Sequence, residues 1–160
     1  MTNNNIPKVI VSSNEWSIET IVDLLISKNI QVNPTIRPEQ HWDITKKSRF
    51  IESILLGFPL PQILLAADLE KRGKHIIVDG NQRLLSILEF YGESDTKDNA
   101  FTLTELEFRT DLNGFTHASS EAQISFNFIN NRLATQVMRV TRIQNWQNQN
   151  LLNNIYSRLN

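Results

Sequence analysis

Between residues 79 and 83 the chain reads Asp-Gly-Asn-Gln-Arg, set between an apolar run, Ile76 to Val78, and a second apolar pattern that begins at Leu84. The first run suits a buried strand. In the second, Leu84, Ile87, Leu88 and Tyr91 recur at helical spacing and Gly92 closes the pattern. The five polar residues therefore sit at a strand-to-helix junction, where the first backbone N–H groups of a helix and its positive dipole end favour an anion. Gly80 permits close backbone approach or positive φ, Asn81 and Gln82 bring side-chain amides, and Arg83 brings a planar fork of donors suited to phosphate or carboxylate. Asp79 is the one acid of the group, a candidate to hold Mg²⁺, to orient water or to anchor Arg83. The competing structural reading makes Asp79 the helix N-cap and Arg83 a surface residue.

Elements must position that turn. Ser17 can cap a helix that buries Ile18, Ile21, Val22, Leu25 and Ile26, with Asn29 as its stop. A short strand is expected near Ile30 to Val32, followed by an irregular stretch around Pro34 and Arg37-Pro38. Asp43 or Thr45 begins a second helix with a stripe of Ile44, Phe50, Ile51, Ile54 and Leu55, ended by Gly57. Lys46, Lys47 and Arg49 fall in its first turns, where the dipole disfavours cations; a nearby anion would offset this, and solvated lysines are the simpler reading of Lys46 and Lys47.

After the rigid Phe58-Pro59-Leu60-Pro61 connector, QILLAA and KHIIV read as two strands buried on both faces and joined by the loop DLEKRG. Beyond the loop ESDTKDN, FTLTELEF is ambiguous between strand and short helix, and LNGF is a turn. Ser119 or Ser120 starts a helix with Ala122, Ile124, Phe128 and Ile129; RLATQVMRV is a late strand, and Leu151, Leu152, Ile155, Tyr156 and Leu159 mark a last helix.

A chain of 160 residues with 40% hydrophobic and 21% charged residues has the size and composition of one globular domain with a packed core. It contains no cysteine, which removes disulfides, thiolate metal sites and a cysteine nucleophile and makes a cytoplasmic setting the expectation. No apolar run is long enough to span a membrane and the first residues do not read as a signal sequence. The net charge of -1 disfavours coating of nucleic acid by bulk charge, although residues 122–160 carry arginines 132, 139, 142 and 158 and no acid; a solvated face is the simpler account. His41, His75 and His117 lack the spacing of a helical metal pair. A carboxylate site of Asp79 with Glu52 or Glu89 is a weaker possibility, and Trp42 and Trp146 read as buried anchors before base-stacking platforms.

The Asp79-Gly80-Asn81-Gln82-Arg83 stretch resembles the DGQQR signature of the N-terminal domain of GmrSD-type modification-dependent restriction enzymes, of the wider ParB/sulfiredoxin-like superfamily. The likeness extends in order through VNP at 32–34, Trp42, KKSRFIESILLGFPLPQILL at 46–65 and IIVDGNQRLLSILEF at 76–90, to IYSRLN at the end. It departs from the family pattern at Asn81, where Gln is usual, and at Arg37-Pro38, which stand for a Gln-Arg pair.

The resemblance implies a mixed α/β (α+β) domain with a small ParB/sulfiredoxin-like sheet flanked by helices, forming one domain over 1–160 of a longer protein. It further implies binding and hydrolysis of a nucleoside triphosphate, GTP or ATP, with Mg²⁺, in defence against foreign DNA, with a nuclease or effector domain downstream. Its site residues fall on Asp79, Gln82 and Arg83 for catalysis, on Gly80, Asn81 and Arg83 for phosphate, on Arg49 and Ser53 of the Arg-x-x-Glu-Ser element, and on Asp79 for the metal. The alternatives are a DNA-nicking nuclease of the ParB kind and a non-catalytic DNA-binding or interaction domain.

Overall fold

The computed structural model describes residues 8–32, 41–92, 100–117 and 123–160. Four strands form one mixed sheet in the order β1-β4-β2-β3: β1 (Ile10–Ser17), β2 (Ile63–Ala67), β3 (His75–Asp79) and β4 (Val137–Gln144). β4 runs antiparallel to β1 and parallel to β2, and β2 pairs antiparallel with β3. The helices are α1 (Ile18–Ile26), α2 (Ile44–Leu56), α3 (Asn81–Phe90), α4 (Gln123–Thr135) and α5 (Gln149–Leu159). This is the mixed α+β architecture that the resemblance implies.

Side-chain alternation along β2 explains the layering, because successive residues of a strand point to opposite faces. Ile63 and Leu65 join one core with Ile21, Leu25, Ile51, Ile54, Leu84, Ile87 and Leu133 of α1 to α4. Leu64 and Ala66 join a second core with Ile143, Trp146 and Leu152, under α5. The sheet is thus covered by four helices on one face and by α5 on the other. β2 is buried as its apolar run predicts, whereas β3, at the sheet edge, is half-buried throughout.

Several helix ends follow local chemistry. Ser17 caps α1 by accepting from the Thr20 N–H, and Asp43 caps α2 by accepting from the Lys46 N–H. Gly57, at φ 70°, ends α2 in the left-handed conformation expected of a glycine there.

The structure corrects other expectations. The first strand, β1, went unpredicted, because seven of its eight residues lie exposed or polar along an edge and no apolar alternation marks it. α1 stops at Ile26 with Ser27 as C-cap, ahead of Asn29, and Ile26 is exposed. The expected strand at Ile30 to Val32 reduces to a single bridge between Ile30 and His75. Ile44 lies at the exposed start of α2, off the buried stripe. Residues 101–109 are neither strand nor helix; they are held from α2 instead, chiefly by Glu52. Residues 132–135 belong to α4, so the late strand begins only at Val137. The expectations for Pro34, Arg37-Pro38, the 93–99 loop, Ser119 and Ser120 lie outside the described residues, as do the side chains of Ala122, Ile124 and Phe128.

Candidate functional site

The strand-to-helix turn is formed as its residue types dictate. β3 ends at Asp79, Gly80 turns the chain at φ 103°, and α3 begins at Asn81, its first helical bond running from the Leu84 N–H to the Gly80 carbonyl. The N-cap is Gly80, which has no side chain to cap with; the reading of Asp79 as N-cap is therefore corrected. The anion-favouring end of α3 carries no side-chain cap, and it faces a cavity of about 700 Å³.

Asp79, Gly80, Asn81, Gln82 and Arg83 all line that cavity. Its opposite walls are His41, Trp42, Asp43 and Lys46 from the start of α2, and Gln149, Leu152, Asn153 and Tyr156 from α5. The three segments meet here because α2 and α3 pack on one face of the sheet while α5 packs on the other, which leaves the β3 edge open between them. Arg49 and Ser53 are not in this cavity. Arg49 donates from Nε to the Glu105 carbonyl and pairs through Nη1 with Glu107 at 2.9 Å, and the Ser53 hydroxyl donates to the Arg49 carbonyl within α2.

Arg83 is turned inward. Its Nη2 donates to the Gln62 carbonyl at 2.9 Å and lies 3.5 Å from Asp79 Oδ2, and its side chain is only 14% exposed. Burial pulls its pKa below the usual arginine value, and the neighbouring Asp79 carboxylate opposes that pull. The guanidinium stays charged. The reading of Arg83 as a surface residue is corrected: part of its fork braces Asp79 and the backbone just before β2. Gln62 is itself fixed, since its Oε1 accepts from the Thr141 hydroxyl at 2.8 Å.

The three cations at the start of α2 have different fates. Lys47 donates to Glu89 of α3 at 2.5 Å, with the two side chains 15% and 7% exposed, which corrects its reading as a solvated lysine. Arg49 is held as described above. Lys46 places Nζ 4.8 Å from the Trp42 ring centroid at the cavity wall, and no carboxylate pairs with it among the described residues. The anion that would offset a cation at this helix start is thus supplied for Lys47 by Glu89, whereas no described residue supplies one for Lys46.

Neither glutamate considered as a metal partner for Asp79 is available to it. Glu52, only 2% exposed, accepts from the backbone N–H groups of Glu107, Phe108 and Arg109, and Glu89 is paired with Lys47. No group of three His, Asp or Glu side chains that could cage a metal exists among the described residues. Asp79, half-buried and 3.5 Å from Arg83, is the carboxylate of the turn that could hold a metal; Mg²⁺ commonly keeps its waters and takes only one or two protein carboxylates.

Trp146 is a buried anchor, its Nε1 donating to the Ala67 carbonyl at 2.6 Å. Trp42 is partly buried, packed edge-on against Phe50, and also forms cavity wall. His41 reaches the cavity, while His117 bonds to Asn130 and stacks near Tyr91, a structural position. Sequence reasoning passed over Lys46, Gln149, Asn153 and Tyr156 as site residues. For Tyr156 a signal existed in the closing IYSRLN element, and for Lys46 in its unfavourable place at a helix start. Among the described residues no helix is long and apolar enough to cross a membrane.

Neither curated proteins nor solved structures yield a match to the chain. The family described as GmrSD restriction endonuclease, N-terminal domain, matches residues 21–160, which takes in every wall of the cavity. By that match the chain belongs to the family of GmrSD restriction endonuclease N-terminal domains, a module of restriction proteins.

Proposed function

We propose that the domain binds a nucleoside triphosphate, GTP or ATP, in the cavity at the start of α3 and hydrolyses it, the state of the nucleotide governing a nuclease or effector domain elsewhere in the restriction protein. One observation carries this reading: a cavity of about 700 Å³, the size of a small-molecule site, opens on a helix N-terminus with no side-chain cap and has on its wall Lys46, a cation with no carboxylate partner among the described residues. Phosphates lie against the α3 N-terminus, with Lys46 neutralising them from the α2 side. Trp42 and Tyr156 give the remainder of the cavity aromatic wall for the nucleoside.

In hydrolysis a water oxygen attacks the terminal phosphorus, the bond to the bridging oxygen breaks, and the diphosphate leaves with that oxygen. Asp79 is placed to orient the water and accept its proton, and Arg83, bonded to the Gln62 carbonyl and facing Asp79, positions that carboxylate. Asp79 would hold Mg²⁺, which would supply neutralisation of the phosphate charge. Phosphate release from GTP and from ATP, measured with Mg²⁺ for the native chain and for Asp79→Asn, tests the catalytic half of the reading. Release by the native chain that falls roughly a hundredfold or more in the variant supports it; equal release by the two removes Asp79 from the reaction.

A further inference from the structure

Gln82 is 8% exposed, yet it lines the cavity. Its Oε1 accepts from the backbone N–H of Trp42 at 3.1 Å. A backbone N–H can only donate, so this bond fixes which end of the amide is oxygen and which is nitrogen. The Nε2 end is then a locked donor, buried and without an acceptor among the described residues. One residue further on, Arg83 Nε is likewise buried and without an acceptor. Two adjacent donors in the first turn of α3 therefore lack what buried donors ordinarily have.

We propose that Gln82 donates from Nε2 to a phosphate oxygen of the ligand, its amide held in the donating orientation by the Trp42 backbone. This rests on the triphosphate reading of the same cavity and adds to it the atom that reads the phosphates. A phosphate oxygen, and not a base or sugar, is the acceptor, because both unsatisfied donors lie at the dipole end of α3, where negative charge is most favoured. Trp42, at the entry to α2, thereby acts as a positioning residue through its main chain.

The test is titration of the native chain and Gln82→Glu with Mg²⁺-GTP and with Mg²⁺-bound inorganic triphosphate. The substitution keeps an oxygen for the Trp42 N–H and replaces the donor with a second acceptor. Loss of about tenfold or more in affinity for both probes is expected, the usual effect of removing a bond to a charged group. The deficit relative to the native chain should narrow as pH is lowered through the carboxyl range, since a protonated Glu regains an O–H donor. If Gln82→Glu does not fold, Gln82→Met, which has neither donor nor acceptor, should show the same loss for both probes.

Equal affinity of variant and native chain would overturn the inference and leave the triphosphate reading intact, marking Nε2 as a buried donor that the fold leaves unsatisfied. A loss confined to GTP would overturn it as well, placing the contact on the nucleoside. Failure of the native chain to bind either probe would defeat the triphosphate reading itself, and this inference with it.

Discussion

The guanidinium of Arg83 is folded back over Gly80: a Cβ built on Gly80 would lie 3.1 Å from Nη2 and 3.3 Å from Nε, and 2.6 Å from Ile63 Cδ1. The glycine of the signature is thus required by the protein's own packing as well as by backbone geometry. At φ 103° a side chain is strained, and here it would also have to displace both a β2 core residue and the arginine that braces Asp79. Gly80→Ala is expected to cost about 3 kcal/mol, the sum of backbone strain and overpacking, read as a lower midpoint in urea unfolding.

Lys47 and Glu89 tie α2 to α3 through a nearly buried ion pair. Taking away one partner leaves the other charge with little water, so Glu89→Leu or Lys47→Met alone should destabilise by about 3 kcal/mol, whereas the two together should come close to neutral. Chemical denaturation of both single variants and the pair closes the cycle; additive losses would show that the two charges are not coupled.

Glu52 makes stability depend on acid pH. Burial resists its ionisation, but the backbone N–H groups of Arg109, Phe108 and Glu107, aided by Arg49, outweigh burial and hold its pKa below the ordinary 4.5. Because the folded-state value is the lower one, its stabilisation is complete above the unfolded value and is lost as pH falls through the folded one. Glu52→Gln keeps one carbonyl acceptor but turns an amide donor toward a backbone N–H, costing about 1 to 3 kcal/mol at neutral pH. The gap between native and variant melting temperatures should be largest at neutral pH and shrink in acid below the carboxylate range.

Which parts of this structure were legible beforehand follows from where the governing forces act. The β3 turn, the caps Ser17, Asp43 and Gly57, and the apolar faces of α3 and α5 are set by local chemistry, and local pattern found them. β1 was invisible because an edge strand with polar, exposed positions has no alternation to show; its pairing with β4 supplies the order. The place of Lys46 and Lys47 at a helix start marked both as unfavourable, but their different fates were out of reach. One meets Glu89, which lies 42 residues away along the chain, and the other faces the cavity, a difference fixed only when α2 docks on α3. The five residues of the turn line one cavity, as neighbours in a single strand-to-helix turn can, whereas the inward direction of the Arg83 fork depends on the Gln62 carbonyl just before β2, which no spacing rule reports.

Occupancy of the cavity is the central claim, and calorimetric titration of the native chain and Lys46→Glu with GTP and with ATP, each with Mg²⁺, addresses it most directly. Lys46 has no carboxylate partner among the described residues, so reversing its charge should leave the fold intact while bringing a negative charge to the phosphate wall. The account predicts binding of at least one nucleotide by the native chain, weakened about tenfold or more in the variant. Binding of equal strength by both proteins, or by neither, would contradict it.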